Sequence, residues 1–376
     1  MKKLIIIAPN SFKECASSVE IARLIRDGLE KYIPNSQLIV KPISDGGDGF
    51  LEVCQIYFGG NIIHYKISTP YDDLSFDCPV LYNPDNKKLY IESAEVLGLK
   101  IIPQKYRKPM YLSSKGMGEL LLQINDNIDD HKIDCREIII GIGGTGTVDM
   151  GLGMCSQLGM LFLDTNGNLV NPFPINFSKV IDIEFERISL SCNVKCVIDV
   201  TNELTGPTGA AQSFGVQKGA TQTEIVTLDE SYGKIVNTLK NNRLVNSSLK
   251  LFGAGGGLAA AFQIMFNSPL ISSKDFILNH LGLSRYIGES DYIVTGEGAF
   301  DNQSFMGKGV GLLIEHCLKN KKEVFMICGQ YFCGNELSKN LKVFELQEFF
   351  KSKAKSIAKF EEGIDKVCEK IALSLK

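Results

Sequence analysis

The sequence predicts an α/β protein with two domains, one of them Rossmann-like with a mostly parallel sheet. Short apolar runs rich in β-branched residues alternate with segments of helical periodicity, which is typical of buried parallel strands separated by helices. The 376 residues also exceed the roughly 250–300 at which a single hydrophobic core stops growing. We therefore expect two α/β domains around a cleft.

The strands of the Rossmann-like domain are predicted from their apolar runs. The first helix follows at once, because apolar residues recur at helical spacing through SSVEIARLIRDGLEKYI after a cap at Ser17 or Ser18. The predicted buried strands of the whole chain are LIIIA near Leu4, QLIVKPI near Leu38, EIIIGI near Ile138, VKCVIDV near Val197, YIVTG near Ile293 and EVFMIC near Val324.

A segment with a different pattern begins near His64, where apolar and polar residues alternate over about 30 residues, as in antiparallel strands. Asn83, Pro84 and Asp85 predict a hairpin turn within it. We expect residues 76–285 to form an inserted α/β domain with some antiparallel strands and glycine-rich loops. Residues 1–75 and 286–376 then form the discontinuous Rossmann-like domain.

Composition excludes several classes of partner. Lys and Arg number 40 against 43 Asp and Glu, a formal net charge of −3, and no stretch interleaves basic with aromatic residues, so nucleic acid is not expected. The most apolar later segment, Gly253–Phe266, is shorter than the roughly 20 residues that span a bilayer. The eleven cysteines are scattered without a CxxC pair, which predicts reduced, mostly buried thiols and a cytoplasmic protein.

Two loops of the Rossmann-like domain carry candidate site residues. In APNSFKECASS, Ser11 and Lys13 offer a hydroxyl and a cation to an anionic substrate, although a surface lysine is the commoner interpretation. In KPISDGGDGF, two acids, Asp45 and Asp48, flank Gly46 and Gly47. This pattern suits Mg²⁺ or a hydroxyl group, and it also suits a plain solvated turn.

A glycine-rich loop follows the predicted strand EIIIGI. Its glycines let backbone approach a ligand closely, and Thr145, Thr147 and Asp149 follow Gly143 and Gly144. So many glycines at one strand end favour a phosphate-binding loop.

The same segment also contains GxGxxG, from Gly141 to Gly146, with Asp164 about 20 residues further on. This spacing is the fingerprint of a dinucleotide-binding unit. A nicotinamide-dependent oxidoreductase is therefore an alternative, although Gly151 and Gly153 weaken the start of the helix that such a unit requires.

Two further strand ends complete the candidate set. Asp199, Thr201 and Asn202 follow VKCVI, and Asp199 suits metal binding or proton transfer as well as capping of the next turn. After YIV, the segment TGEGAFDNQSFMGKG mixes phosphate-friendly backbone with acids that can hold Mg²⁺, and its candidates are Gly296, Glu297, Gly298, Asp301 and Lys308.

Several enzyme classes lack their signatures here. The chain contains no GxxxxGK[ST] and neither the HRD nor the DFG motif of protein kinases. None of the four histidines lies in a recognisable catalytic or zinc-binding pattern.

Seven motifs in order resemble those of the first glycerate kinase family. They are PNSFKE, SDGGDG, IESAEVLGL, GIGGTGTVDMGLGM, DVTNELTGPTGAAQSFGVQKGA, FGAGGGLAA and TGEGAFDNQSFMGK. The resemblance implies ATP-dependent phosphorylation of D-glycerate, with the 2-phosphate as the usual product, in two α/β domains around a cleft. ATP and Mg²⁺ are the implied cofactors, and a homodimer is left open.

The resemblance also frames the roles of the candidate residues. We expect Asp199 or Asp45 to orient or deprotonate the glycerate hydroxyl, and Lys13 to hold the substrate carboxylate or a phosphate. Asp301 and Asp199 are the expected metal ligands. The expected substrate and phosphate contacts are Ser11, Gly46, Gly47, Gly143, Gly144, Thr145, Thr147, Asp149, Thr201, Asn202, Gly296, Glu297, Gly298 and Lys308.

The chain departs from the family pattern at five positions, among them Asn302 for the usual Gly after Asp301 and Val310 for a Pro, and three others motivate an alternative. Val148 replaces the usual Asn before Asp149, Met150 the Gly after it, and Ala299 a cation in the TGEG motif. A paralogue that binds a ligand without turnover is therefore a second alternative.

Overall fold

The computed structural model describes residues 2–13, 15–186, 188–200, 202–301, 304, 309–332 and 337–375. The chain forms two compact units, unit 1 with Met1–Tyr57 and Ser272–Lys376 and unit 2 with Phe58–Ile271. These bounds lie earlier in the chain than the predicted 75 and 285. The predicted cleft stays a prediction.

The secondary structure alternates as the apolar runs predict. The strands are β1 Leu4–Ile7, β2 Gln37–Val40, β3 Asn61–Ser68, β4 Ser75–Asn83, β5 Lys88–Glu92, β6 Glu137–Ile142, β7 Met160–Leu163, β8 Asp182–Phe185, β9 Asn193–Ile198, β10 Leu270–Ser272, β11 Tyr292–Phe300, β12 Glu323–Tyr331 and β13 Leu341–Glu345. The α-helices are α1 Ser18–Tyr32, α2 Phe50–Phe58, α3 Ser93–Leu97, α4 Lys115–Asp129, α5 Leu152–Gln157, α6 Ala210–Phe214, α7 Gln222–Asn241, α8 Leu258–Phe266, α9 Ser273–Asp275, α10 Leu283–Glu289, α11 Gly309–Lys319, α12 Lys353–Ala358 and α13 Phe360–Ser374.

Unit 1 is built on a five-stranded sheet in the order β13-β12-β11-β1-β2, and every pair in it is parallel. Its inner strands β1, β11 and β12 are buried over most of their length, as in a parallel sheet covered by helices. The first helix begins as predicted, since the Ser17 hydroxyl accepts a hydrogen bond from the Glu20 amide. Ile21, Ile25 and Leu29 then bury one face of α1 in a core shared with α13. The Rossmann-like prediction is confirmed.

Unit 2 is built on a six-stranded mixed sheet in the order β10-β9-β6-β5-β4-β3. Strands β5, β6 and β9 are parallel, whereas β3, β4 and β5 are antiparallel, with the predicted hairpin turn between β4 and β5. Because β3 pairs with β4 over its whole length, residues 61–68 belong to this unit, which explains the earlier boundary. A separate antiparallel pair joins β7 to β8.

The longest helix of unit 2, α7, shows how local sequence starts an element. The Thr221 hydroxyl accepts from the Glu224 amide while the Glu224 carboxylate accepts from the Thr221 amide, which is a complete capping box. Within the described part of the chain, no helix combines the length and the apolar character needed to cross a membrane.

Candidate active site

Three loops gather at the carboxyl edge of the unit 1 sheet, since β1, β2 and β11 are parallel neighbours. The Asn10 amide donates to the Gly296 carbonyl at 2.8 Å. The Asn10 side-chain nitrogen donates to Asp45 Oδ2 at 3.3 Å, and its oxygen accepts from the Ser11 amide at 2.8 Å. Asn10 therefore links the loops that carry Ser11, Asp45 and Gly296, although sequence reasoning did not single it out.

Close backbone approach brings Lys13 to the same edge. A Cβ added at Gly298 would lie 3.3 Å from the Lys13 amide nitrogen, so Gly298 is in contact with this loop. Lys13 is exposed and forms no ion pair with any residue that the structure describes. Its ammonium is available to an anionic ligand.

The Asp45 loop is held by short local hydrogen bonds. The Gly47 amide donates to Asp45 Oδ1 at 3.4 Å, and Gly46 adopts the left-handed region with φ 104°. A Cβ at Gly309, the first residue of α11, would lie 3.3 Å from Asp45 Cβ. Asp45 is thus placed between its own glycine turn and the start of a helix.

Strand β11 and the residue that follows it supply the remaining candidate acids of unit 1. Glu297 lies inside β11 opposite Cys328 of β12, and Asp301 directly follows the strand. Asp301 Oδ1 accepts from the Ser304 amide at 3.2 Å, while the Ser304 hydroxyl accepts from the Asp301 amide at 3.2 Å. The predicted contact Lys308 lies outside the described residues.

In unit 2, the parallel strands β5, β6 and β9 bring a second set of loops together. The Ser93 hydroxyl, after β5, accepts from the Gly143 amide and donates to the Gly143 carbonyl, both at 3.0 Å. Ile142 pairs with Ile198 at the ends of β6 and β9, so Gly143 and Asp199 each directly follow a strand at the same edge of the sheet. The segment after β5 also accepts from the Gly146 amide and donates to Gly144, which holds the glycine-rich loop.

Lys218 is the residue of this set that sequence reasoning left out of the site. Its side chain is buried, with 8% of the residue exposed, and its ammonium donates to Thr145 Oγ1 at 3.0 Å and to the Thr147 carbonyl at 2.7 Å. Burial lowers the pKa of Lys218 to about 7, against a smaller opposing effect of Asp149. The only local signal was a lysine in a turn-rich motif; its burial comes from tertiary packing.

The Asp149 side chain is buried, with 1% of the residue exposed, and it accepts hydrogen bonds from neighbouring protein groups. Its Oδ2 accepts from the Ser114 amide and hydroxyl, both at 2.6 Å, and from the Gly153 amide at 3.2 Å, while Oδ1 accepts from the Gly151 amide at 3.3 Å. Burial raises the pKa of Asp149, which these hydrogen bonds partly oppose. The carboxylate holds the starts of α4 and α5; its predicted contact with substrate or phosphate stays a prediction.

Asn202 organises the loop after β9. Its side-chain nitrogen donates to the Thr208 carbonyl at 2.8 Å and to Ser213 Oγ at 3.1 Å. Its own carbonyl accepts from the Gly253 amide at 2.8 Å, which ties this loop to the next glycine run. The predicted contact Thr201 lies outside the described residues.

The glycines before α8 pack directly on the loop after β6. The Gly256 carbonyl accepts from the Met150 amide at 3.1 Å. A Cβ at Gly256 would lie 2.1 Å from the Thr147 carbonyl oxygen and 2.8 Å from Lys218 Nζ. This contact requires glycine, because backbone cannot yield as a flexible side chain does.

Gly256→Ala is therefore expected to destabilise the protein more than Gly282→Ala. Both glycines have φ 71°, where an L-residue costs about 1–2 kcal/mol, but Gly282 has open space around its Cβ position. The contact with Thr147 should add about 1–3 kcal/mol to the loss at Gly256. Urea unfolding of the two variants measures the difference, and equal midpoints would contradict the close approach.

The topology disagrees with the dinucleotide-binding alternative. A dinucleotide unit requires the strand after the glycine loop and helix to join the same parallel sheet. Here β7, which precedes Asp164, pairs antiparallel with β8 in a separate sheet, and the neighbours of β6 are β5 and β9. The GxGxxG spacing is therefore present without the βαβ unit that a dinucleotide-binding site requires.

Comparison with known proteins gives a consistent result. Residues 5–376 match the family model described as the glycerate kinase family. Glycerate 2-kinase of Escherichia coli K12 is 33% identical over 308 residues, covering 81% of this chain and 79% of that protein. Glycerate kinase of Bacillus subtilis 168 is 32% identical over 313 residues, with 81% and 79% covered. A crystal structure of a protein assigned as glycerate kinase 2 from Salmonella typhimurium LT2 covers 100% of this chain and 98% of its own, at a TM-score of 0.76 and 28% identity.

Proposed function

This chain belongs to the glycerate kinase family and is a kinase by that membership, and we propose that it transfers the γ-phosphoryl group of ATP to D-glycerate, forming 2-phospho-D-glycerate. The observation that carries the proposal is the family match over residues 5–376. The site geometry supports it, because each unit gathers acids and glycine-rich backbone at the carboxyl edge of its parallel strands. That is where open α/β sheets bind ligands.

The first chemical task is to prepare the hydroxyl of glycerate. Asp199, which directly follows β9, or Asp45, which accepts a hydrogen bond from Asn10 in unit 1, accepts the hydroxyl proton or orients the oxygen. A positioned carboxylate in this role contributes about 10²–10⁴ to a rate. Both carboxylates lie in segments that follow parallel strands, Asp45 after β2 and Asp199 after β9.

The second task is to hold the anionic groups of the reactants. In unit 1 the exposed ammonium of Lys13 binds the glycerate carboxylate or a phosphate, and Ser11, Gly46 and Gly47 are the further proposed contacts. In unit 2 the amides of Gly144, Thr145 and Thr147 face phosphate oxygens. Since phosphoryl transfer depends mainly on positioning and charge stabilisation, these contacts carry most of the catalysis.

The available donors suit Mg²⁺. In the described parts of the chain, no three His, Cys, Asp or Glu side chains converge on one point, so a cage made wholly of protein is not present there. Mg²⁺ instead uses one or two carboxylates together with substrate phosphates, and Asp301 and Asp199 are the proposed ligands. When bound, the ion neutralises charge on the phosphates.

The proposed reactants are soluble small molecules, and we place the reaction in the cytoplasm. The test is a coupled ADP-release assay with Mg²⁺ and ATP, with and without D-glycerate. Adding enolase without phosphoglycerate mutase then detects the 2-phosphate, because enolase does not use the 3-phosphate. We expect glycerate-dependent ADP release and a direct enolase signal.

Other outcomes would each correct a different part of the proposal. ADP release without an enolase signal would reject the 2-phosphate in favour of the 3-phosphate. A folded protein that binds ADP but shows no turnover would favour the non-catalytic paralogue raised by Val148, Met150 and Ala299. In the structure Val148 and Met150 are fully buried.

A further inference from the structure

Lys218 is a buried cation whose hydrogen-bond partners are neutral. Its ammonium donates to a hydroxyl and a carbonyl, Thr145 Oγ1 and Thr147 O, and to no carboxylate of the described residues. Asp149 acts on its charge from further away, but the oxygens of Asp149 already accept from Ser114, Gly151 and Gly153. Burying a charge without a paired opposite charge is unfavourable, so an anion near this loop would relieve the cost.

The loop after β6 contains backbone amides without an acceptor among the described residues, and the Val148 amide is one that points away from Lys218. The Thr147 carbonyl points at the ammonium, so the Val148 amide of the same trans peptide points the opposite way. The described residues accept no hydrogen bond from the amides of Gly144, Thr145, Thr147, Val148 and Asp149. Most of these residues are buried, and buried amides are normally paired.

A second observation points the same way. The Thr147 hydroxyl is buried, in a residue 1% exposed, and has no hydrogen-bond partner among the described residues. Unpaired amides and a hydroxyl with a cation behind them form the donor set that phosphate requires. The Gly256 backbone also packs against Lys218, since a Cβ at Gly256 would lie 2.8 Å from Lys218 Nζ.

We propose that Lys218 is a positioning residue for a phosphate group bound by the Gly143–Asp149 loop. Its ammonium fixes the Thr147 peptide so that the loop amides point at the phosphate, and its charge attracts that phosphate through the loop. The inference rests on the proposed function only in that the phosphate is a phosphate of the nucleotide or that of the phosphorylated product.

The test compares Lys218→Met with Lys132→Met in the full-length protein. Methionine keeps the unbranched shape without the charge, and Lys132 is a surface lysine of the same unit with a side chain 64% exposed. Calorimetry measures binding of ADP, adenosine, inorganic phosphate, 2-phosphoglycerate and glycerate. We expect Lys218→Met to lower the affinity for the phosphate-bearing ligands by about tenfold or more, whereas the affinity for adenosine and glycerate stays unchanged.

The pattern of losses identifies the phosphate. If ADP binds more weakly and the affinity for 2-phosphoglycerate is unchanged, the loop binds a phosphate of the nucleotide. If 2-phosphoglycerate binds more weakly and the affinity for ADP is unchanged, the loop binds the phosphate of the product. The inference would be overturned if Lys218→Met lost as much affinity for adenosine and glycerate as for the phosphate compounds. It would also be overturned if the variant bound every ligand normally, or if the wild type bound no phosphate compound. Should Lys218→Met fail to fold, Thr145→Val removes one acceptor of the ammonium and must show the same selective loss.

The result is separable from the proposed function. A wild type without glycerate turnover but with the selective binding loss in Lys218→Met rejects the reaction and keeps the phosphate site. An active kinase in which Lys218→Met raises neither the KM for ATP nor the Kd of any phosphate compound keeps the reaction and rejects the role of Lys218.

Discussion

Replacing Asp199 by Asn is expected to lower kcat for ATP-dependent phosphorylation of glycerate by at least about 10²-fold. Asn keeps the size of the side chain but cannot accept a proton, and it is a poorer ligand for Mg²⁺ than a carboxylate. Asp199 follows β9 directly, at the sheet edge where Gly143 follows β6, so the change acts at the carboxyl edge of the unit 2 sheet. The loss should fall mainly on kcat if Asp199 acts on the reacting hydroxyl.

The matched control is Asp134→Asn, a change of the same kind before the start of β6. Asp134 has a side chain 64% exposed and pairs with Lys87 at the opposite edge of the sheet. It should retain wild-type kcat. Near-normal turnover in Asp199→Asn, with the control also active, would remove Asp199 from the chemistry and leave Asp45 as the candidate base.

Replacing Asp149 by Ala is expected to destabilise the protein by about 3–5 kcal/mol, because each buried donor left without an acceptor costs about 1–3 kcal/mol. The change leaves the amides of Ser114, Gly151 and Gly153 without their acceptor at the starts of α4 and α5. Asp149→Asn should lose less, because one side-chain oxygen remains to accept the Ser114 donors.

Urea unfolding with a fitted m-value measures this series, and the control is Asp130→Ala. Asp130 caps the carboxyl end of α4, the helix whose start Asp149 holds, and its side chain is 58% exposed. Removing an exposed carboxylate should change stability by only about 0.5 kcal/mol. If Asp149→Ala unfolds at the wild-type midpoint, its hydrogen bonds do not hold the two helices.

Much of the fold follows from local patterns. Strands β1, β2, β11 and β12 of unit 1, the cap at Ser17 and the hairpin between β4 and β5 were predictable, because side-chain periodicity and turn residues act within a few positions, whereas β13 was not predicted. The boundary near residue 58 was not, since residues 61–68 join unit 2 by pairing with β4. Strand partners depend on the whole sheet and not on the strand itself.

In the candidate site too, some features follow from the local sequence and others depend on tertiary contacts. The sequence by itself determined which loops carry acids, hydroxyls and glycines at strand ends, since strand ends and left-handed turns are local properties, and it identified the family through seven motifs. Only the tertiary structure decided what Asp149 and Lys218 contact. Asp149 meets Ser114, 35 positions away, and Lys218 meets Thr145, 73 positions away. Burial of a charged side chain is set by such distant partners, which no local pattern contains.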